Sequence, residues 1–130
     1  MRDNVKSGAL TEVTFFILLS LYQARHGYAI MQFVEERTKG RLIIGAGSLY
    51  GALDSLSKKG WITIHDDSDV RKKEYIITDE GKHVAERELK RIQELACVAE
   101  EIIGANYKKV NKKKKKSEEK LHLNKILKKA

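Results

Sequence analysis

Between Gly45 and Lys82 the chain can fold in very few ways. The segment GAGSLYGALDSLSKKG sets Leu49, Leu53 and Leu56 at helical spacing with Ala52 beside them, and Gly60 closes the run. The next segment, WITIHDDSDVRKKEYIITDEGK, changes the period from 3.6 to two. Trp61, Thr63 and His65 alternate with Ile62 and Ile64, and Glu74–Ile77 returns after the charged turn Asp66–Lys73. A short helix followed at once by such a hairpin reads as a recognition helix and a wing. Two helices before it complete a winged helix-turn-helix, a fold that lays one helix in the DNA major groove.

Those two helices are legible upstream. The first is expected from about Ser7 to Tyr22, with Leu10, Val13, Ile17 and Leu21 on one stripe and Phe15, Leu19 and Tyr22 on a second. A helix apolar on two sides is buried on two sides. The second begins near Gly27, carries Ile30, Phe33, Val34 and Met31, and stops at Gly40. Arg41–Ile44 is expected as an extended connector, and the recognition helix runs from about Gly45 to Lys59.

Beyond the wing a helix begins at Thr78 or Asp79, with acidic residues in its first turn. Ala85, Leu89, Ile92, Ala96, Ala99 and Ile103 recur at alternating gaps of four and three, the spacing of a helix–helix seam. Leu95, Val98 and Ile102 widen the stripe. A second copy of the chain is one cover for this seam, and folding back onto the first three helices is the other. The expected fold is mainly α with a small β-hairpin. It comprises a winged helix-turn-helix DNA-binding domain over residues 1–78, a long C-terminal dimerisation helix over 79–107, and a lysine-rich tail over 108–130.

Charge sharpens this division. The whole chain of 130 residues carries +8, yet residues 108–130 hold eleven lysines and two glutamates, or +9. Residues 1–107 therefore carry the difference, −1. Contact with a polyanion by the body must come from local clusters, not from a global field. Arg71, Lys72 and Lys73 form the compact basic cluster of the body and suit a wing tip against DNA phosphates. Their acidic neighbours also allow a plain solvated hairpin. The Lys112–Lys116 run suits either phosphate contacts without sequence information or a solubilising role, and no regular structure is assigned to residues 108–120; Leu121, Leu123, Ile126 and Leu127 suit a short helix beyond them, too short to be stable alone.

Other chemistries find little support. Gly45, Gly47 and Gly51 miss the dinucleotide-binding pattern, because Tyr50 stands where that pattern needs glycine. Small residues there suit close approach to DNA, with helix N–H groups free for a phosphate. Asp66, Asp67 and Asp69 lack the glycine and closing glutamate of a calcium loop. The four histidines and the single Cys97 supply no zinc spacing. No cofactor, metal or catalytic set is expected. The longest apolar run, Phe15–Leu19, is five residues, against about 20 for a membrane helix. No signal peptide is expected, and a lone cysteine points to a reducing cytoplasm.

Three segments resemble the PadR family of bacterial transcriptional regulators. His26-Gly27-Tyr28 is similar to that family's HGY. Gly47-Ser48-Leu49-Tyr50-Gly51-Ala52-Leu53, followed by Leu56 and Gly60, is similar to its GTLYPAL helix. Tyr75-Ile76-Ile77-Thr78-Asp79-Glu80-Gly81 is similar to its YxLTxxG junction. The resemblance spans about residues 8–104 and points to the subgroup with a single C-terminal helix. It implies a homodimer held by the first and fourth helices, a palindromic operator, and repression that in some members a small effector relieves. This chain departs from the pattern at Gly51 and Ala46, where prolines are common, in having no tryptophan on its fourth helix, and in its lysine run.

The residues expected at DNA are Lys6, Tyr28, Ser48, Tyr50, Gly51, Lys58, Arg71, Lys72 and Lys73. The dimer seam is expected at Ala85, Leu89, Ile92, Ala96, Ala99 and Ile103, and an effector pocket at Phe15, Leu89, Ile92 and Ala96. The expected partners are double-stranded DNA, a second copy and a small-molecule effector, with no membrane. Two other functions remain open: a winged-helix module that binds a protein, and a non-specific nucleic-acid binder working through the lysine run.

Overall fold

The computed structural model describes residues 8–69 and 72–129, and for 105–114 and 128–129 the backbone alone. The element order is α1 (Glu12–Ser20), β1 (Arg25–His26), α2 (Gly27–Arg37), α3 (Ala46–Lys58), β2 (Ile62–Asp66), β3 (Glu74–Ile77), α4 (Asp79–Ile103) and α5 (Ala105–Lys129). The order is that of a winged helix, with one strand more than the sequence pattern foretold. Two compact units divide inside α4, at Arg91 and Ile92.

α1 starts five residues later than the expected Ser7, which itself lies outside the described residues. Gly8 has φ +66, which no helix residue adopts, and the Thr11 side chain caps the helix by accepting the Thr14 N–H at 3.1 Å. Ile17, Leu18 and Leu21 are fully buried, while Phe15 and Leu19 are half-buried and Tyr22 is exposed. The burial of Leu18, outside both expected stripes, shows that α1 is wrapped on more of its circumference than two lines of residues describe.

α2 opens at Gly27 and ends at Arg37. Lys39 and Gly40 both take positive φ, 53° and 79°, and the Gly40 N–H reaches back to the Glu35 carbonyl at 2.8 Å. The Thr38 hydroxyl donates to the Val34 carbonyl at 2.8 Å and accepts the Leu42 N–H at 3.0 Å, so the connector is pinned to the helix it leaves. Ile30 and Val34 of α2 meet Ile17, Leu18 and Leu21, then Ile44, Leu49, Leu53 and Leu56, and Ile62, Ile77 and Val84 complete one core.

The sheet has the order β1-β3-β2 and is antiparallel throughout. Ile62 pairs with Ile77, Thr63 with Ile76 and Ile64 with Tyr75, after which a bulge between Ile64 and Asp66 shifts the register. Only Ile62 of β2 is buried, so the alternation read from the sequence brings a single residue into the core. β1 is two residues long, too short to show any period, and pairs Arg25 with Tyr75 and His26 with Glu74.

The wing passes into α4 through a close junction. The Thr78 hydroxyl donates to the Gly60 carbonyl at 2.6 Å and accepts the Gly81 N–H at 3.1 Å. A side chain on Gly81 would place its Cβ 2.1 Å from the Trp61 carbonyl oxygen, so only glycine fits. Gly81, Val84, Ala85 and Glu88 are the buried residues of α4, spaced three, one and three apart.

α5 departs from the expectation for residues 108–120, which were assigned no structure, and includes the short helix expected at Leu121, Leu123, Ile126 and Leu127. Residues Ala105–Lys129 form a helix. The segment has no proline or glycine after Gly104, and lysine and glutamate are good helix formers. Described residues 115–127 are all exposed. Among the described residues, no helix is long and apolar enough to cross a membrane.

Candidate nucleic-acid interface

α3 is held by one face only. Leu49, Leu53 and Leu56 are at most 3% exposed, while Gly47, Ser48, Gly51, Asp54, Ser55 and Lys58 are all exposed. Gly45 precedes the helix without a side-chain cap, which leaves its first N–H groups free for an outside acceptor.

The exposed glycines have no internal reason to be glycine. A Cβ at Gly45, Gly47 or Gly51 would meet nothing within 4 Å, and none of the three has positive φ. A glycine inside a helix costs about 1 kcal/mol against alanine. Gly47, Gly51 and Ser55 follow each other at four-residue steps and so share one face. That row carries nothing larger than a hydroxymethyl group at its three positions, with Asp54 and Lys58 beside it toward the end of the helix, so the backbone can come near another surface over the first turns of α3.

Tyr50 is partly committed elsewhere. Its hydroxyl lies 2.8 Å from where a Cβ on Gly27 would stand, so its ring rests on the first residue of α2. The HGY glycine and the tyrosine of the α3 motif, 23 positions apart, are therefore two halves of one contact. Tyr50 remains 53% exposed. Tyr75 on β3 is next to it: burial raises the Tyr75 phenol above its ordinary pKa, with smaller contributions from Tyr50 and Asp54. His26 caps α2 through Nδ1, which accepts the Ala29 N–H at 3.3 Å, and its ring lies parallel to that of exposed Tyr28, 6.5 Å between centroids. Tyr28, Tyr50, Tyr75 and His26 thus gather where α2, α3 and β3 meet.

Lys58 sits on the last turn of α3 and pairs with Asp54 at 3.0 Å, both side chains largely in solvent. Such a pair is weak and screened. At the wing tip Asp66 accepts the Ser68 N–H at 2.9 Å, a turn bond that holds its carboxyl below the usual carboxylate range. Its side chain therefore serves the turn. The Lys72 N–H donates to the Asp69 carbonyl at 2.9 Å, and the Lys72 and Lys73 side chains are exposed. Arg71 and Lys6 lie outside the described residues. Among those described, no three His, Cys, Asp or Glu side chains gather as a metal ion requires.

Along α4, Ala85 is only 2% exposed within its own chain and has no surface left to offer a second copy; the expectation that placed it on a seam is corrected by that burial. Leu89, Ile92, Ala96 and Ile103 are exposed and Ala99 is half-buried. Of the residues expected to line an effector pocket, Phe15 is half-buried and Leu89, Ile92 and Ala96 are exposed.

Glu88 escaped the sequence reading. It is 3% exposed, accepts the Leu10 N–H at 3.3 Å, and receives Arg91 Nε at 2.6 Å and a second guanidinium nitrogen at 2.8 Å. The Arg91 bond chiefly, with help from Leu10, holds its carboxyl below the usual range against the opposing effect of burial. The signal was present: a glutamate at the core-facing step of α4, with arginine three residues on. Glu12 and Arg41 form an exposed ion pair that joins the start of α1 to the connector before α3.

The family described as transcriptional regulator PadR-like matches residues 17–87. A PadR family transcription regulator from Clostridium difficile has a similar structure, with TM-score 0.60 and 21% identity, over 72% of this chain and all of that one. A transcriptional regulator from Clostridium thermocellum gives TM-score 0.61 and 21% identity, over 78% of this chain and all of that one. RosR of H. salinarum is 29% identical with TM-score 0.55, over 72% of this chain and 94% of its own. A search of curated proteins finds no match.

Proposed function

Because the chain belongs to the PadR-like family of transcriptional regulators, we propose that it is a sequence-specific repressor that binds a palindromic operator as a homodimer and answers to a small-molecule effector. The observation that carries the DNA contact is the row of small residues at the start of α3. Gly47 and Gly51 are exposed, unconstrained by φ and free of neighbours, so their cost to the helix finds its return only in an outside surface that must come close. In this reading Ser48, Tyr50 and Gly51 lie nearest the DNA, and the free N–H groups at the start of α3 meet a phosphate. Tyr28 and Lys58 flank them, and Lys6, Arg71, Lys72 and Lys73 hold adjoining backbone.

The homodimer rests on the exposed apolar residues of α4. Leu89, Ile92, Leu95, Val98, Ile102 and Ile103 are each more than a third exposed, and water is a poor neighbour for six large apolar side chains on one helix. With Ala85 removed, the seam comprises Leu89, Ile92, Ala96, Ala99 and Ile103. Two α3 helices related by a dyad address half-sites about one helical turn, or a multiple of it, apart. Response to a small-molecule effector is part of this reading and is tested by whether a ligand changes affinity for the upstream DNA.

The test is a titration of the full chain against its own upstream DNA and against a scrambled duplex, with mass measured in parallel. A dimer that prefers the upstream DNA supports the proposal; equal affinity for the two duplexes at physiological salt removes it. Repression is read from the neighbouring genes, which should rise in expression when this gene is deleted. The net charge of −1 over residues 1–107 favours one second reading, a winged-helix module for a protein partner. Lys72→Gln with Lys73→Gln separates the two: a DNA reader loses affinity and salt dependence, and a protein-binding module keeps its partner.

A further inference from the structure

From the charge and burial of α5 we infer that this helix is a second nucleic-acid surface, one that binds duplex phosphates without reading sequence. This deepens the DNA-binding proposal, on which the choice of duplex rests. Residues 108–130 carry +9 and the rest of the chain −1, so nearly all long-range attraction to a polyanion resides here. α3 offers little phosphate affinity by itself. Between Ala46 and Lys58 it has no arginine, asparagine or glutamine, and its one lysine pairs with Asp54. A regulator with such a lean recognition helix needs backbone affinity from elsewhere.

The form of α5 favours nucleic acid over a lipid surface. Lys115, Lys116, Lys120 and Lys125 are exposed, and so are Leu121, Leu123, Ile126 and Leu127. A helix that lies in a membrane segregates its apolar residues from its basic ones. Here they are mixed: Leu123 follows Lys116 by seven residues and Leu127 follows Lys120 by seven, so each leucine shares a face with a lysine. Phosphates on a duplex make no such demand. They also neutralise the mutual repulsion of lysines one turn apart, such as Lys116 and Lys120.

The experiment uses the full chain with Lys115→Gln, Lys116→Gln, Lys120→Gln and Lys125→Gln together, beside the unaltered chain. Affinity is measured across a salt series for the upstream duplex, the scrambled duplex, and vesicles of phosphatidylserine and phosphatidylcholine. The inference expects affinity for both duplexes to fall by a common factor, about tenfold or more near 0.1 M salt. The slope of log affinity against log salt should become shallower by about 0.9 for each lysine that meets a phosphate. Unchanged slope and affinity overturn it. A loss confined to the upstream duplex also overturns it, since α5 would then read sequence. Tighter binding to the vesicles than to either duplex at equal salt overturns it in favour of a lipid surface. A common loss in the variant, where the unaltered chain shows no preference for the upstream duplex, removes the specific-regulator proposal and leaves this one standing.

Discussion

α3 and α5 are both exposed helices, yet they are built on opposite principles. α3 buries three leucines to 3% exposure or less and turns Gly47, Gly51 and Ser55 outward among few larger side chains. α5 is exposed at every described side chain and carries its charge all round. A helix clamped on one side has a defined orientation, which is what reading a groove demands. A helix clamped on no side supplies attraction without orientation, which is what phosphate affinity demands. Under the two proposals, specificity would belong to the clamped helix and strength of binding to the charged one.

The firmest way to break this contrast is at the junction that holds α3's surroundings. In Gly81→Ala the new Cβ would strike the Trp61 carbonyl, a backbone atom that cannot swing away. The expected cost is about 3 kcal/mol or more, as for severe overpacking. Thermal unfolding should fall by more than 10 °C, taking about 4–8 °C per kcal/mol for a body of this size. Preference for the upstream duplex should vanish while attraction to scrambled DNA survives. If specific binding persists in Gly81→Ala, orientation of α3 does not depend on this junction.

Glu88 gives the next largest effect. Glu88→Ala leaves the Leu10 N–H without its acceptor and Arg91 without its partner, at a cost of about 1–2 kcal/mol in urea denaturation. The pH dependence has a definite sign. Arg91 lowers the folded pKa of Glu88, so its contribution is complete above the ordinary value of 4.5 and is lost as pH falls through the lowered one. Glu88→Gln should flatten that part of the acid limb of stability against pH. An acid limb identical to that of the unaltered chain would show that Glu88 is not a principal acid-sensitive group.

Gly51→Ala sharpens the comparison, because its two effects have opposite signs. The body should gain up to about 1 kcal/mol, since alanine meets nothing within 4 Å there. Affinity for the upstream duplex should fall about tenfold, because a methyl group then stands where the backbone must approach. A variant that is both more stable and equally tight would show that this face does not meet DNA. The smallest effect is expected from Asp54→Asn, which breaks the exposed pair with Lys58: stability should move by less than about 0.5 kcal/mol. Any larger loss would mean that the pair helps to hold α3.

Legibility in the sequence followed the range of the interactions. α2, α3, both wing strands and the start of α4 stand within a residue or two of where periodicity and turn residues put them. The start of α1 was missed because Thr11 and Gly8 act through hydroxyl geometry and φ, not through apolar spacing. β1 exists only because β3 lies beside it. The first part of α5 was missed because a charge-dense composition argued for disorder, while its residues individually favour helix.

The chain's own order of residues determined that a recognition-type helix precedes a wing, since apolar period and turn chemistry are properties of neighbours in sequence. It also determined where the charge lies. What the tertiary structure alone decided are the pairings across distance. Tyr50 rests on Gly27, Gly81 lies under the Trp61 carbonyl, Glu88 holds Leu10, and Ala85 turns inward to the core of its own chain. The pairings themselves leave no local signature, because each joins two segments whose separation along the chain carries no information about their separation in space.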